Sequence, residues 1–183
     1  MHKTAIVVLA DGFEEIEAIA PVDILRRADI EVSIVGLTGL DVTSVRNVRV
    51  MVDALLSDVN VLPDAIVLPG GMPGSKHLGD SAKLQDFTQC MFNAGKLCAA
   101  ICAAPVLTLG AWGLLSRKRA TCFPGMENSF PSDVVFSTDS VVLDGNIITS
   151  RGAGTALEFG FEIVKYLQSH KIASELRERM VAK

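Results

Sequence analysis

The chain has 183 residues, of which 49% are hydrophobic and 21% charged, and its formal net charge at pH 7 is −4. This composition excludes a disordered or fibrous chain, and a chain of this length buries roughly 70% of its unfolded surface without needing disulfides or a structural metal. The mild acidity and the lack of a long basic run argue against nucleic acid or an anionic membrane surface as the main partner. We therefore expect one domain covering residues 1–183.

The mean hydropathy is high, at +0.38, but no uninterrupted apolar run reaches the ~18 residues of a membrane span. The first apolar run covers only residues 5–10 and continues into an acidic segment, which favours a first strand over a signal peptide. The four cysteines form no CxxC pair and no Cys/His metal spacing. We therefore expect no metal, reduced thiols and a cytoplasmic location.

Strands and helices alternate along the predicted secondary structure. Apolar, often β-branched runs predict strands at residues 3–9, 30–36, 48–52, 65–68, 97–101, 134–136, 141–143 and 146–149, the last two joined by an Asp144-Gly145 turn. Helical periodicity predicts helices over residues 15–28, 81–93, 103–111, 155–167 and 172–180. Such alternation is typical of an α/β fold with an open, mostly parallel sheet and helices on both faces.

The first predicted helix has two features of its own. Ile16, Ile19, Ala20 and Ile24 fall on one broad face, which we expect to be the buried face. Pro21 lies inside the helix and cannot donate a hydrogen bond to the carbonyl of the preceding turn. We therefore expect a distortion there.

Three predicted strand-to-helix turns carry unusual residues, at 10–17, 68–74 and 99–105. In an open parallel sheet, ligands gather outside the carboxyl ends of the strands, where all three turns lie. The third turn places Cys102 at the start of a helix, next to free backbone N–H groups that favour a thiolate and lower the thiol pKa. A buried core cysteine is an equally good interpretation of Cys102 from its spacing alone. Cys98, inside the strand, is predicted to belong to the core.

The other two turns give weaker signals. Gly70 and Gly71 allow a close approach of the backbone to a bound group and offer N–H donors, although a plain turn explains them as well. Glu14 and Glu15 fit the first turn of a helix, where the dipole favours carboxylates. Glu17 differs because it lies beside the expected distortion at Pro21 and could face the site.

Four segments, GFEEIEA, VLPGG, AAICAAP and TSRGAGTALEF, together resemble the ThiJ/PfpI superfamily, in particular its DJ-one-like branch of protein deglycases. The resemblance covers almost the whole chain, from Lys3 to about Leu176. It implies a flavodoxin-like α/β fold, a homodimer, no cofactor and a reactive cysteine. Associated activities are cofactor-free conversion of methylglyoxal to lactate, removal of early glycation adducts, and redox-sensing or chaperone roles.

The resemblance also assigns roles to residues of this chain. Cys102 matches the nucleophile, and Glu17 matches the carboxylate hydrogen-bonded to it. The backbone N–H groups of Gly71 and Ala103 match an oxyanion-type pocket, and Arg151 matches a residue on the loop beside the site. A surface arginine that caps sheet carbonyls is an equally good interpretation of Arg151.

Two further arginines, Arg27 and Arg46, match positions near the family's dimer interface and pocket. His77 is expected to be a solvated loop residue without a catalytic role.

One position departs from the family pattern. Many members have a histidine where this chain has Phe123, and the protease-like branch has a histidine where this chain has Ala103. Without that base, peptidase or amidotransferase chemistry is disfavoured. Glyoxalase chemistry is also weakened, because Glu17 must then handle the protons with water.

Two functions remain. In the first, the chain is a slow enzyme acting on small reactive aldehydes or glycated substrates, in which Cys102 attacks the aldehyde and Glu17 moves the proton. In the second, it is a non-catalytic redox sensor or chaperone in which peroxide oxidises Cys102 to a sulfinic acid. The retained nucleophile, carboxylate and amides favour the enzyme.

Overall fold

A seven-stranded sheet forms the central layer of the computed structural model, which describes residues 2–182. The strands of the chain are β1 (Thr4–Leu9), β2 (Glu31–Gly36), β3 (Asp41–Thr43), β4 (Arg49–Met51), β5 (Ala54–Leu55), β6 (Ala65–Leu68), β7 (Leu97–Ile101), β8 (Arg119–Ala120), β9 (Val135–Phe136), β10 (Val141–Asp144) and β11 (Ile147–Ser150). The helices are α1 (Glu15–Arg27), α2 (Gly74–Gly79), α3 (Ala82–Asn93), α4 (Ala156–Leu167) and α5 (His170–Arg179), and a π-helical turn covers Val106–Gly110. Short 3₁₀ turns cover Leu56–Asp58, Glu127–Ser129 and Ala153–Thr155.

The strand order in the main sheet is β10-β11-β7-β6-β1-β2-β5. All neighbours in it are parallel except β10 and β11, which form an antiparallel hairpin at one edge. The predicted α/β class, with a mostly parallel sheet between helices, is therefore confirmed. β3 and β4 form a separate antiparallel hairpin, and β8 pairs with β9.

Helices cover both faces of the sheet because its central strands are apolar on both faces. Along β1, Ala5, Val7 and Leu9 pack with α1, α4 and α5, while Ile6 and Val8 pack with α2 and α3. This alternation follows from the two-residue period of a strand. Each fully buried aliphatic side chain in these two clusters contributes about 1.5–3 kcal/mol to stability.

The topology creates a crevice at the carboxyl end of β1. The chain leaves β1 towards β2 on one side, whereas β6 lies on the other side. At such a reversal of strand order, the loops after neighbouring strands diverge and leave room for a ligand. The loops after β1, β6 and β7 are the three turns that sequence analysis selected.

The main wrong prediction about the fold concerns which face of α1 is buried. Ile16 and Ile19 are 54% and 40% exposed, and Ala20 is half-buried. Ile24 is buried as predicted, but its buried neighbours on the helix are Glu17, Ala18, Pro21, Val22 and Leu25. The helix is rotated so that a carboxylate enters the interior, which a count of apolar residues cannot anticipate. α1 continues without interruption through Pro21.

Several local elements differ from the predictions. The short helix α2 and the strands β3, β5 and β8 were not expected, because each is too short to show a period. The hairpin turn lies at Gly145-Asn146, one residue later than predicted. Among residues 2–182, no helix has the length and apolar character needed to cross a membrane.

Candidate active site

Cys102 occupies a sharp turn directly after β7. Its φ is 67°, in the left-handed region, which costs a residue with a side chain about 1–2 kcal/mol. Two backbone hydrogen bonds hold the turn: the Cys102 amide donates to the carbonyl of Ser150 at 3.0 Å, and the Cys102 carbonyl accepts from the amide of Phe123 at 2.8 Å. Strain of this kind is concentrated at functional sites, where the surrounding structure maintains it. This strain points to a function for Cys102.

Glu17 brings a carboxylate to the sulfur of Cys102. It lies in the first turn of α1, is only 1% exposed, and accepts a hydrogen bond at Oε2 from the amide of Gly70 at 2.9 Å. The thiol of Cys102 and the amide of Ala153 also donate to this carboxylate. The structure therefore brings together the cysteine and the glutamate that the resemblance paired.

Two glycines after β6 make this approach possible. A Cβ on Gly70 would collide with Oε2 of Glu17 and would lie 2.5 Å from Cβ and 3.0 Å from Sγ of Cys102. Gly71 has a φ of 93°, and a Cβ there would lie 2.5 Å from the amide nitrogen of Glu14. Gly70 therefore provides space, and Gly71 provides both space and a left-handed backbone. Their predicted approach to a bound group stays a prediction.

Backbone amides complete the surroundings of the sulfur. The N–H groups of Gly71 and Ala103 both donate towards Sγ of Cys102 and favour its charged form. These are the two amides that the resemblance assigns to an oxyanion-type pocket. The structure places them at the sulfur, and their role in catalysis stays a prediction.

Burial changes the acidity of Glu17. Burial raises the pKa of the Glu17 carboxyl from 4.5 to about 7, and the nearby charge of Glu14 adds to this rise. The hydrogen bonds from Cys102, Gly70 and Ala153 oppose the rise without cancelling it. Glu17 is therefore able to both accept and release a proton near neutral pH, as a general acid–base group must.

The predicted low pKa of the Cys102 thiol is wrong. Burial, the charge of Glu17 and the hydrogen bond to Glu17 together raise the pKa of Cys102 to about 12, against the opposing amides of Ala103 and Gly71. The sequence shows the helix start that favours a thiolate, but not the buried carboxylate that disfavours a second negative charge.

Glu17 and Cys102 consequently act as one titrating unit. Together they release one proton near neutral pH and retain the other, because two negative charges in contact repel each other in a buried place. The remaining proton can move along the hydrogen bond between sulfur and carboxylate without changing the net charge of the pair. This shared proton allows the sulfur to become a nucleophile in contact with a substrate.

Glu14, Glu15 and Arg46 surround the entrance of α1. Glu14 caps the helix, because its Oε2 accepts from the amide of Glu17 at 2.9 Å. Nη1 of Arg46 lies 3.5 Å from Glu14 and 3.6 Å from Glu15, and the hydroxyl of Ser44 donates to Glu15. Arg46 thus lies near the site, as the resemblance implies.

Two of the other arginine and histidine residues lie away from the sulfur. Arg27 is in the last turn of α1, about 15 Å along the helix from Glu17, where it pairs with Asp23 at 2.7 Å. Arg27 therefore lies away from the pocket, and its expected place near a dimer interface stays a prediction. His77 is exposed, as predicted, but it belongs to α2 and not to a loop, and its Nδ1 lies 3.0 Å from the carbonyl oxygen of Asp11.

Arg151 precedes the loop that donates to Glu17, and its Nη1 donates to the carbonyl of Thr138 at 3.0 Å. The guanidinium is thus engaged with a backbone carbonyl, as in the surface interpretation. Its predicted contact with a substrate stays a prediction.

The remaining cysteines differ clearly from Cys102. Cys98 is fully buried in β7, and burial raises its pKa to about 12, which confirms its place in the core. Cys122 is also fully buried, and burial raises its pKa to about 11. Cys90 is exposed on α3. All four thiols are free.

Sequence reasoning missed the contribution of the segment around Gly152. The ring of Phe123, which the sequence marks only as a departure from the family, lies next to Gly152, and the amide of Ala153 reaches Glu17. The small residues of the Gly152-Ala153-Gly154 run are the only sequence signal for such a close approach.

The fold and the site define a flavodoxin-like α/β protein with a cysteine at a strand-to-helix turn, paired with a buried glutamate. Residues 3–166 match the model of the DJ-1/PfpI family. The chain belongs to this family.

Comparison with known proteins gives the same assignment. The chain is 40% identical to protein dj-1beta of Drosophila melanogaster over 184 residues, covering 99% of this chain and 98% of that protein. It is 37% identical to protein DJ-1 homolog A of Arabidopsis thaliana, covering 95% of this chain but spanning only 45% of that longer protein. A relative from Caenorhabditis elegans, 33% identical over 100% of this chain and 98% of its own length, is named glutathione-independent glyoxalase DJR-1.2.

Solved structures show the same architecture. The crystal structure of Drosophila melanogaster DJ-1beta is 39% identical to this chain, covers 100% of both chains and has a TM-score of 0.96. Oxidised Toxoplasma gondii DJ-1 is 35% identical, covers 98% of both chains and has a TM-score of 0.95.

Proposed function

We propose that the chain is a cofactor-free, cysteine-dependent enzyme that acts on small reactive carbonyls, of the glyoxalase or protein deglycase type. The observation that carries this proposal is the hydrogen-bonded pair of Cys102 and Glu17, with the amides of Gly71 and Ala103 directed at the sulfur. The name of the Caenorhabditis elegans relative supports the same class of reaction.

The first step is addition of the thiol to an aldehyde. Sγ of Cys102 bonds to the aldehyde carbon while the thiol proton moves to Glu17, and Glu17 passes this proton to the carbonyl oxygen to give a hemithioacetal. Glu17 serves as the base because its pKa lies near neutrality. No atom is lost in this step, so it needs no cofactor.

With an α-oxoaldehyde such as methylglyoxal, the hemithioacetal is converted to a hydroxyacid by an internal redox reaction. Glu17 removes the proton from the former aldehyde carbon, and a proton returns to the neighbouring carbon, which is reduced to an alcohol as the first carbon is oxidised. Water then cleaves the resulting thioester to give lactate and the free thiol. In this proposal the amides of Gly71 and Ala103, which are directed at the sulfur, stabilise the negative charge that develops at the thioester.

Early glycation adducts enter the same scheme, because they present a carbonyl or masked carbonyl group to the thiol. Sγ replaces the amine or thiol at the adduct carbon, and the leaving group takes the thiol proton through Glu17, which gives the same hemithioacetal. Hydrolysis of the later thioester then releases the hydroxyacid and the free thiol of Cys102. The burial of Glu17 and the small space at Gly70 favour the short carbonyl end of such an adduct.

The experiment follows lactate production from methylglyoxal by NMR. We expect Cys102→Ala to abolish turnover and Glu17→Gln to reduce kcat by 10²-fold or more. Cys90→Ala changes an exposed thiol away from the site and should leave the rate unchanged. Equal lactate production by the parent and by Cys102→Ala would overturn the proposal.

A redox sensor is the second candidate, and the structure of an oxidised relative favours it. Two molecules of peroxide convert the thiol of Cys102 to a sulfinic acid and give two molecules of water. In this second proposal Glu17 and the amides of Gly71 and Ala103, which contact the thiol, bind the two sulfinate oxygens. Mass spectrometry after peroxide treatment tests this function, which would require oxidation of Cys102 at peroxide concentrations that leave Cys90 reduced.

We also propose that the chain acts as a homodimer in the cytoplasm. Free thiols at all four cysteines suit a reducing compartment. Apolar side chains that a dimer would cover remain exposed on α1, at Ile16 and Ile19, and on the β3–β4 hairpin, at Val48 and Met51.

A further inference from the structure

Gly152 leaves room for about one carbon atom between two groups of the site. The position that a Cβ on Gly152 would take lies 3.8 Å from Oε1 of Glu17 and 3.5 Å from Cδ2 of Phe123. One carbon-sized space is therefore in contact with both the buried carboxylate and an aromatic ring.

Gly152 matters at this position because it has no side chain, and not because its backbone conformation is unusual. The φ of Gly152 is 166°, which is extended backbone that any residue adopts. A methyl group there would meet its neighbours at ordinary van der Waals distances. Alanine would thus be tolerated by the fold but would fill the space beside Glu17.

The ring of Phe123 forms the outer wall of this space. Its backbone amide donates to the carbonyl of Cys102 at 2.8 Å, which holds the backbone of Phe123 beside the cysteine. The residue is nevertheless 47% exposed, unlike Phe13, Phe159 and Phe161, which are at most 3% exposed. A large aromatic surface left open beside a nucleophile is suited to cover an apolar part of a ligand.

We propose that the exposed ring of Phe123 contacts the substituent of the carbonyl substrate and makes the site prefer aryl-substituted α-oxoaldehydes to methylglyoxal, with the carbon-sized space beside Gly152 left free for the atoms next to the aldehyde. This inference rests on the proposed function. The aldehyde carbon reaches Sγ of Cys102, its transferring proton faces Glu17, and the aryl group lies against the ring of Phe123. Phe123 is a specificity-determining residue, because it touches the substituent and not the reacting atoms.

The expected preference for phenylglyoxal over methylglyoxal depends on the contact between the aryl group and the ring of Phe123. An aromatic pair that forms on binding accounts for roughly 2- to 10-fold in affinity beyond the area it buries. A methyl group is too small to make this contact. We therefore expect the parent to favour phenylglyoxal, and we expect the preference to depend on the ring at position 123.

The test compares kcat/KM for phenylglyoxal and methylglyoxal in the parent and in four variants. Phe123→Ala and Phe123→Leu should each lower the ratio of phenylglyoxal to methylglyoxal by about fivefold, because neither side chain can stack. Gly152→Ala should lower kcat/KM for phenylglyoxal about tenfold by filling the space. Gly154→Ala is the matched control on the same loop, since nothing lies within 4 Å of its Cβ position, and it should leave the ratio unchanged.

A binding measurement separates this inference from the proposed function. Mandelate and lactate, the products of the two substrates, are compared as protectants of Cys102 against iodoacetamide. Stronger protection by mandelate in the parent, lost in Phe123→Ala, supports the subsite even if neither aldehyde is turned over. Equal protection by the two acids, or an unchanged substrate ratio in Phe123→Ala and Gly152→Ala, overturns the inference even where turnover is intact.

Discussion

The amide of Gly70 donates a hydrogen bond to Oε2 of Glu17 at 2.9 Å. This bond joins the loop after β6 to the first turn of α1, across the crevice where the strand order reverses. The approach is possible because Gly70 has no side chain, and the place of a side chain is already occupied by Glu17 and Cys102. The position of the carboxylate thus depends on a missing methyl group.

Gly70→Ala should disturb the pair of Glu17 and Cys102. The added Cβ would lie 2.5 Å from Cβ of Cys102 and closer still to Oε2 of Glu17, and overpacking of this kind costs about 1–3 kcal/mol. Urea unfolding measures the loss, with Gly154→Ala as the control in open space. Equal free energies of unfolding for the two variants would contradict the close contact.

The stability of the protein should fall as the pH rises through neutrality. The pKa of Glu17 is about 7 in the folded protein and 4.5 as an ordinary carboxyl, so between these values the folded state binds the proton that the unfolded state has lost. The stabilisation from this bound proton is therefore complete below pH 4.5 and lost as the pH rises through 7. Between these values the free energy of unfolding falls by up to about 1.4 kcal/mol per pH unit. Urea unfolding from pH 5 to pH 8 should show this slope in the parent and not in Glu17→Gln. A constant difference between the two proteins across that range would show that Glu17 titrates normally.

The reaction of Cys102 with iodoacetamide should follow the ionisation of the pair. Its rate should rise through about pH 7, because loss of the first proton creates the singly charged pair that can expose a thiolate. Glu17→Leu removes the proton acceptor and should slow the reaction at pH 7 by roughly tenfold. Mass mapping resolves the four thiols, and the fully buried Cys98 serves as an internal control that stays unlabelled. A rate at Cys102 that is the same in the parent and in Glu17→Leu would remove Glu17 as its partner.

The exposed apolar side chains of α1 and of the β3–β4 hairpin should form a symmetric dimer contact. Met51 is 79% exposed in β4, and Met51→Glu would place a charge in that contact. We expect the parent to sediment as a dimer at micromolar concentration and Met51→Glu to sediment as a monomer of about half that mass. Val61 is also 79% exposed but lies outside this surface, so Val61→Glu should remain dimeric. A parent protein that sediments only as a 19.5 kDa species would refute the dimer.

Local patterns along the chain were sufficient to predict most of the fold. The strands at residues 65–68 and 97–101 were predicted with the bounds they have in the structure, because fully buried strands are continuous apolar runs. The buried face of α1 was not predicted correctly, because Ile16 and Ile19 fit the period of a helix equally well on a buried or an exposed face. The helical period shows which side chains share a face, but it does not show whether that face meets the core or the solvent.

The candidate site divides in the same way. The chain by itself determined that Cys102, Glu17 and Gly71 lie in turns at one edge of a parallel sheet, because strand direction places those turns together. Only the tertiary structure decided that Glu17 is buried against the sulfur, which raises the pKa of both groups and reverses the expected acidity of Cys102. It also decided that Phe123 and Gly152 border the same space. Local sequence governs backbone conformation within a few residues, whereas contacts between distant segments depend on how the sheet twists and how the loops close over its edge.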